Sequence, residues 1–328
     1  MGRTATSHLW PVLLLAIALA SIAVAPTANA EDYPSRSVDL IVPFAAGGGT
    51  DVLARILSEG LSKRLRQSFV VLNRPGANTN IGTLFAVRAK PDGYTLIMAS
   101  IGLAANPSLY KALPFEPLND LAPISLIAKA PTVLVVNPSL PVNSVADLIA
   151  YLKSRPDALA YASYGVGSGP HLAAALFQFT TGTKILHVPF AGGAPAAYAV
   201  VGGNVQMLFS SVLPVLGLIR SGSVKPIAIA AEHRIALLPE VPTFLESGVA
   251  YQTSTWFGLL APARTPDAVI AALHAATLDV LREEDARAKI LEQGAEVVGN
   301  SPADFRAFIK DETDRLSVVI RNAKIALD

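Results

Sequence analysis

The chain has 328 residues, with 26 Lys plus Arg against 25 Asp plus Glu, five His and no Cys. A balance this close to neutral leaves no electrostatic footprint for nucleic acid. The absence of cysteine excludes disulfides, thiolate metal sites and a lipid-bearing cysteine anchor.

Residues 1–30 read as a signal peptide. Arg3 supplies a basic start, residues 9–24 are apolar apart from Pro11 and Ser21, and Ala28-Asn29-Ala30 is an A-x-A cleavage site. The apolar run is shorter than the ~20 residues a membrane span needs, and no later segment is long and apolar enough. The mature product is therefore expected to start at Glu31 and to be exported, soluble and free of a lipid tether. The roughly 300 residues that follow suffice for two core-bearing lobes of ~100–150 residues each.

Residues 38–42 read as a strand and 51–65 as a helix, with Val52, Ile56, Leu57, Leu61 and Leu65 along one face. Residues 69–72 form a second strand, ended by the turn Asn73-Arg74-Pro75-Gly76. A short helix over 81–89 and a strand over 94–99 follow, separated by Pro91-Asp92-Gly93. This β-α-β-α-β order predicts an α/β lobe with a largely parallel sheet. Pro131 introduces a strand over 132–136, and Ser144 caps a helix over 145–154. A strand over 159–163, a helix over 170–180 closed by Gly182, and a strand over 185–188 come next. A helix over 196–201 and strands over 205–209 and 225–230 complete a second α/β unit. A late strand over 256–260 precedes amphipathic helices over 266–282 and 302–323. These helices lack a sheet of their own and are expected to return to the first lobe. The chain then crosses between lobes near Ala130 and near Ala261, giving lobe one as 31–130 plus 262–328 and lobe two as 131–261.

Three glycine-rich turns could carry chemistry. Val42-Pro43-Phe44-Ala45-Ala46-Gly47-Gly48 has a counterpart in Val188-Pro189-Phe190-Ala191-Gly192-Gly193. Each ends a strand-like run and opens a helix-like one. A helix start offers free backbone N–H groups and the positive end of the helix dipole, so it attracts anions. The first turn lacks the Gly-Lys-Ser/Thr of a phosphate loop and the spaced glycines of a dinucleotide fold. It also reads as an ordinary turn with Thr50 or Asp51 as N-cap. The turn between these two in the chain, Gly165-Val166-Gly167-Ser168-Gly169-Pro170-His171, is the best candidate. Ser163 and Ser168 add hydroxyls beside free amides, and Pro170 suits the first helical position.

Catalytic readings are weaker. His8, His171, His187, His233 and His274 show no metal-ligand spacing, and no metal or cofactor is expected. Ser168 with His171 invites a Ser/His hydrolase reading, but Gly165 to Gly169 is not a G-x-S-x-G elbow and no orienting third residue accompanies it. Trp256 and Tyr251 read as core or hinge aromatics.

Taken together, several segments resemble the Bug-type periplasmic solute-binding receptors of tripartite tricarboxylate transporters. They are Val42 to Asp51 with Ala54-Arg55, Asn73 to Ala77 with Ile81-Gly82, and Lys90 to Leu96. The others are Tyr161 to Leu172, His187 to Phe190, Leu238 to Thr243 and Trp256 to Pro262. The resemblance runs over essentially the whole chain. It implies a two-lobed type II periplasmic-binding-protein (Venus flytrap) fold with the ligand cleft between the lobes. It also implies capture of a carboxylate by Phe44, Ala45, Ala46, Gly47 and Gly48 of lobe one. In lobe two it points to Ser163, Gly167, Ser168 and His171, with Pro189, Phe190 and Ala191 nearby and Ser210 and Ser211 as further donors. Ala175 stands where the family commonly has Glu, Asn78-Thr79-Asn80 where it has more glycine, and Ala191 where a larger or charged residue is frequent. The expected function is therefore an exported, non-enzymatic, monomeric receptor for a mono-, di- or aromatic carboxylate. It would deliver its ligand to membrane permease subunits, the alternative partner being a sensor kinase.

Overall fold

The computed structural model describes residues 33–327, so the signal peptide expected over 1–30 lies outside the described residues. β1 (Val38–Val42) and β2 (Phe69–Asn73) flank α1 (Gly49–Leu65), whose Leu53, Leu57 and Leu61 face inward at helical spacing. After α2 (Asn80–Val87) comes β3 (Thr95–Ala99). β1 pairs in parallel with both β2 and β3, as the alternating pattern predicts. The next helix, α3 (Gly102–Leu109), contains Pro107 and has no counterpart in the sequence reading.

β4 (Leu121–Val136) is far longer than the strand expected after Pro131. Pro123 and Pro131 argue against a central strand. Register shifts after Pro123 and after Leu126 accommodate the irregularity. From Leu121 to Pro131, β4 pairs antiparallel with β9 (Ser254–Pro262), and from Thr132 onward with β7 (Met207–Ser211) and β8 (Lys225–Ile229). It is thus common to two groups of strands. β9 also pairs antiparallel with β3, so the sheet is mixed rather than largely parallel.

In the second group, α4 (Val145–Ser154) precedes β5 (Ala160–Ser163). α5 (Gly169–Thr181) follows, then β6 (Leu186–Pro189) and α6 (Gly193–Val201). β5 lies between β6 and β7, parallel to both. α7 (Leu213–Arg220) follows β7. Alternation along β4 builds a core on each face. Leu134 and Val136 pack with Phe177, Phe209, Phe244 and Tyr251, while Val133 and Val135 pack with Ala162, Val200 and Leu208.

The last helices are α8 (Asp267–Arg282), α9 (Glu284–Glu292) and α10 (Pro302–Asn322), with the two-residue strand β10 (Glu296–Val297) on β4. α8 packs on α1, and α10 on α3 and β4, so the tail returns to the first group. Trp256, Phe305 and Ile309 share that group's core with Ile41 and Ile97. Gly258 lies in the middle of β9 beneath the Phe305 ring, and any Cβ there would overlap that ring. Gly258→Ala is therefore expected to destabilise the protein by about 1–3 kcal/mol through overpacking. Urea unfolding followed by tryptophan fluorescence checks this, and an unchanged midpoint would contradict it.

Candidate functional site

Parallel strands end on the same side, so the turns that leave them gather there. β1 ends at Val42 opposite Asn73 of β2, and β5 ends at Ser163 opposite Pro189 of β6. The three glycine turns of the sequence follow β1, β5 and β6. Ser210 and Ser211 are the last residues of the neighbouring β7.

In the first turn, Phe44 is half-buried and Ala45, Ala46, Gly47 and Gly48 are exposed. Gly48, not Thr50 or Asp51, is the N-cap of α1, and no side chain caps that helix. Asp51 folds back to brace the turn. Its carboxylate accepts from Gly47 N–H at 2.9 Å, Arg55 Nε at 2.9 Å and Nη2 at 3.0 Å, and Asn73 Nδ2 at 2.8 Å. Asn73 Nδ2 also donates to Phe44 O at 3.0 Å. Burial works to raise the Asp51 carboxyl, but the bonds from Arg55, Gly47 and Asn73 together outweigh it and hold it below the ordinary carboxylate range. The Gly47 amide is thereby engaged. Those of Ala45, Ala46, Gly48, Gly49 and Thr50 make no hydrogen bond among the described residues.

The second turn is braced in the same way. Gly167 N–H donates to His171 Nδ1 at 3.0 Å, and Ser168 Oγ donates to Gly165 O at 2.6 Å. Ser163 is fully buried; its hydroxyl accepts from Gly165 N–H at 3.1 Å and lies 2.6 Å from His187 Nε2. Gly167 has φ +76° and Gly165 φ +120°, conformations that glycine adopts without a Cβ penalty. Ser168 is the N-cap residue of α5 without capping it, unlike Ser144 on α4 and Ser301 on α10, whose hydroxyls accept capping bonds. Among the described residues the amides of Gly169 and His171 stay unbonded at the start of α5. At the third turn the amides of Gly192, Gly193 and Ala194 are likewise unbonded, beside exposed Pro189 and Ala191 and half-buried Phe190.

Cross-bonds hold the second and third turns together. Phe190 N–H donates to Ser163 O at 3.0 Å, and Tyr164 Oη lies 2.5 Å from Ser210 Oγ. Ser210 is buried and also donates to Ser211 O at 2.7 Å, while Ser211 is half-buried. The hydroxyls of Ser163 and Ser210 and the His171 ring thus serve the turns themselves.

His171, His187 and Tyr161 form a stack, with ring centroids 3.8 Å apart for His171–His187 and 4.9 Å for Tyr161–His187. Burial, with a smaller contribution from His187, pushes His171 down to about 3, and burial also lowers His187. Both rings are therefore neutral near pH 7. Ser168 and His171 share no hydrogen bond, because each is committed to another partner. No cluster of side chains able to hold a metal ion occurs among the described residues.

The second turn also meets the first strand group. A Cβ on Gly167 would lie 2.9 Å from Leu109 Cδ1 and 3.1 Å from Asn78 Nδ2, and one on Gly169 would lie 3.5 Å from Thr255 Oγ1. Half-buried Asn78 and buried Asn80 and Asn106 form an amide network, with Asn106 Nδ2 donating to Asn78 O at 2.7 Å and to Asn80 Oδ1 at 2.6 Å. Sequence reasoning did not assign this network, the Asp51–Arg55–Asn73 brace or His187 to the site. The run Asn78-Thr79-Asn80 was the available signal for the first. Ala175, another departure from the resemblance, is buried on α5 beside His171 and not at the turns.

The strand order and the turns define a two-lobed α/β protein of the periplasmic-binding class. The family described as "Tripartite tricarboxylate transporter family receptor" matches residues 53–325, and the chain belongs to it. It is 38% identical over 311 residues to Protein BugT of Bordetella pertussis, covering 94% of this chain and 95% of that one. Among solved structures it is similar to R. palustris Rpa4515 with adipate, at 37% identity and TM-score 0.81, covering 90% of this chain and 99% of that chain. It is also similar to MatC from Rhodopseudomonas palustris with bound malate, at 31% identity and TM-score 0.78, covering 88% and 100% of the two chains. Family receptors of this kind bind solutes and work with membrane transporters.

Proposed function

We propose that this protein is an exported, monomeric periplasmic receptor that captures a small carboxylate between two lobes and delivers it to the permease subunits of a tripartite tricarboxylate-type transporter. The observation that carries this reading is the set of unbonded helix-start amides after β1, β5 and β6. Such amides favour an anion through both hydrogen bonds and the helix dipole. The adipate and malate bound by the two similar R. palustris proteins support the ligand class.

In this reading Phe44 to Gly48 hold the carboxylate from lobe one, and Gly167, Ser168, Pro189, Phe190, Ala191 and Ser211 face it from lobe two. Ser163, His171 and Ser210 position the second set. The expected bounds, 31–130 with 262–328 for lobe one and 131–261 for lobe two, shift at the second crossing. The pairing of Thr255 to Ala261 with Ala122 to Ala130 favours a second crossing at the Ser254 end of β9 rather than at Ala261. Closure on the ligand is the whole mechanism, because the ligand meets both lobes only in the closed form. No bond is made or broken, and the separate engagements of Ser168 and His171 support a non-enzymatic role.

A thermal-shift screen of mono-, di- and aromatic carboxylates, including adipate and malate, tests the proposal. A ligand at a hundredfold excess over its dissociation constant stabilises by about 2.7 kcal/mol, a rise of roughly 5 °C for a chain of this size. Ser168→Ala is expected to weaken the best carboxylate by about 1.5–3 kcal/mol, since the hydroxyl can turn from Gly165 O to a charged acceptor. A panel with no stabilising carboxylate would refute the ligand class.

A further inference from the structure

The serine–glycine turn of the second strand group is seated in a socket on the first. A Cβ on Gly167 would come within 2.9 Å of Leu109 Cδ1, 3.0 Å of Leu327 Cδ1 and 3.1 Å of Asn78 Nδ2. All three walls belong to the first group. Leu109 ends α3 and is buried. Leu327, past the end of α10, donates its N–H to Leu109 O at 2.7 Å and forms a parallel bridge with Tyr110. Asn78 is pinned by Asn106, which accepts from Asn78 Nδ2 at 2.7 Å and donates to Asn78 O at 2.7 Å.

Backbone conformation alone does not demand glycine at 167. Its φ of +76° is left-handed backbone that asparagine also adopts. The socket supplies the stronger reason, because it leaves no room for a side chain. The Asn78 wall is itself held under strain. Ala77, Asn78 and Thr79 are three successive non-glycine residues with positive φ, at +45°, +46° and +79°. Such backbone costs free energy wherever a Cβ is present, and it gathers at clamps and switch regions whose surroundings hold it in place. Here the strained stretch presents the Asn78 amide to Gly167.

We propose that this seat is a closure latch. Leu109, Leu327 and Asn78 are positioning residues that hold the serine–glycine turn, with the Gly169 and His171 amides beside it, in place for capture. The inference rests on the proposed capture of a carboxylate between the two strand groups. Without the latch a smaller share of molecules is aligned, and apparent affinity falls by that same factor.

Gly167→Asn keeps the left-handed backbone but fills the socket. With adipate and malate as calorimetric probes it is expected to bind about tenfold more weakly than wild type. Gly182→Asn, at φ +64° with nothing within 4 Å of its Cβ position, is the matched control and should bind as wild type does. Leu327→Ala alone should weaken binding. In the Gly167→Asn background it should instead restore most of the loss, because it makes room for the added side chain. That reversal of sign separates a seat from a direct contact between residue 167 and the probe. Small-angle scattering without ligand reads the same series, and the radius of gyration should rise in Gly167→Asn and return in the double variant. This arm decides the latch even if neither probe binds. Scattering of Gly167→Asn equal to that of Gly182→Asn, or a loss that Leu327→Ala leaves uncorrected, would overturn the proposal. Leu327→Ala, at a half-buried site, carries the test should Gly167→Asn fail to fold: unchanged affinity and scattering there would overturn it as well.

Discussion

Asp51→Ala is expected to destabilise the protein by about 2–4 kcal/mol and to weaken carboxylate binding at least tenfold. Asp51 is 2% exposed and accepts four hydrogen bonds, so truncation leaves Gly47 N–H without its acceptor and the Asn73 amide with Phe44 O alone. The turn over residues 44–48 then loses its side-chain brace from α1. Asp51→Asn is not expected to rescue it, because the new NH₂ would face Arg55 or Gly47, both donors. Arg55→Ala should be milder, since its side chain is largely exposed and the pair is screened on that side. Urea unfolding and calorimetry with a stabilising carboxylate separate the two effects. Wild-type stability and affinity in Asp51→Ala would show that the brace is dispensable.

Acid is expected to loosen the second turn in the same way. An unfolded histidine binds a proton below about 6.5, whereas buried His171 takes one only near 3. Over that window the unfolded state holds more protons, so stability falls as pH falls, by up to roughly 1.4 kcal/mol per pH unit from this group. Protonation also removes the Nδ1 lone pair that accepts Gly167 N–H. His187, lowered by burial, adds in the same direction, and neither ring has an ion-pair partner among the described residues. The Asp51 contribution is lost lower, as pH falls below the ordinary carboxylate value toward its depressed one. His171→Asn should flatten the stability slope between pH 6 and 4.5. Equal slopes for variant and wild type would contradict the assignment.

Legibility in the sequence followed the physics of each segment. β1, α1, α4, α5 and α10 announce themselves through periodicity, a capping serine or a closing glycine, and each forms within two residues of its expected ends. α3 and the first half of β4 were hidden by Pro107, Pro123 and Pro131, whose local preferences are overridden by tertiary pairing. The repeated Val-Pro-Phe-Ala peptide located two of the three turns. The internal commitments of their polar groups were not legible. His187 meets Ser163 and stacks on His171 only because the β5–β6 register sets Tyr161 opposite His187 and Ser163 opposite Pro189. No local spacing encodes that pairing.

The most direct test is a crystal structure of the mature protein with whichever of adipate or malate stabilises it. One carboxylate is predicted to lie within hydrogen-bond distance of amides from the turn at Ala45 to Gly48 and from a turn at Gly169 or Gly193. A ligand that touches only one strand group, or binds away from these turns, would contradict capture between the lobes.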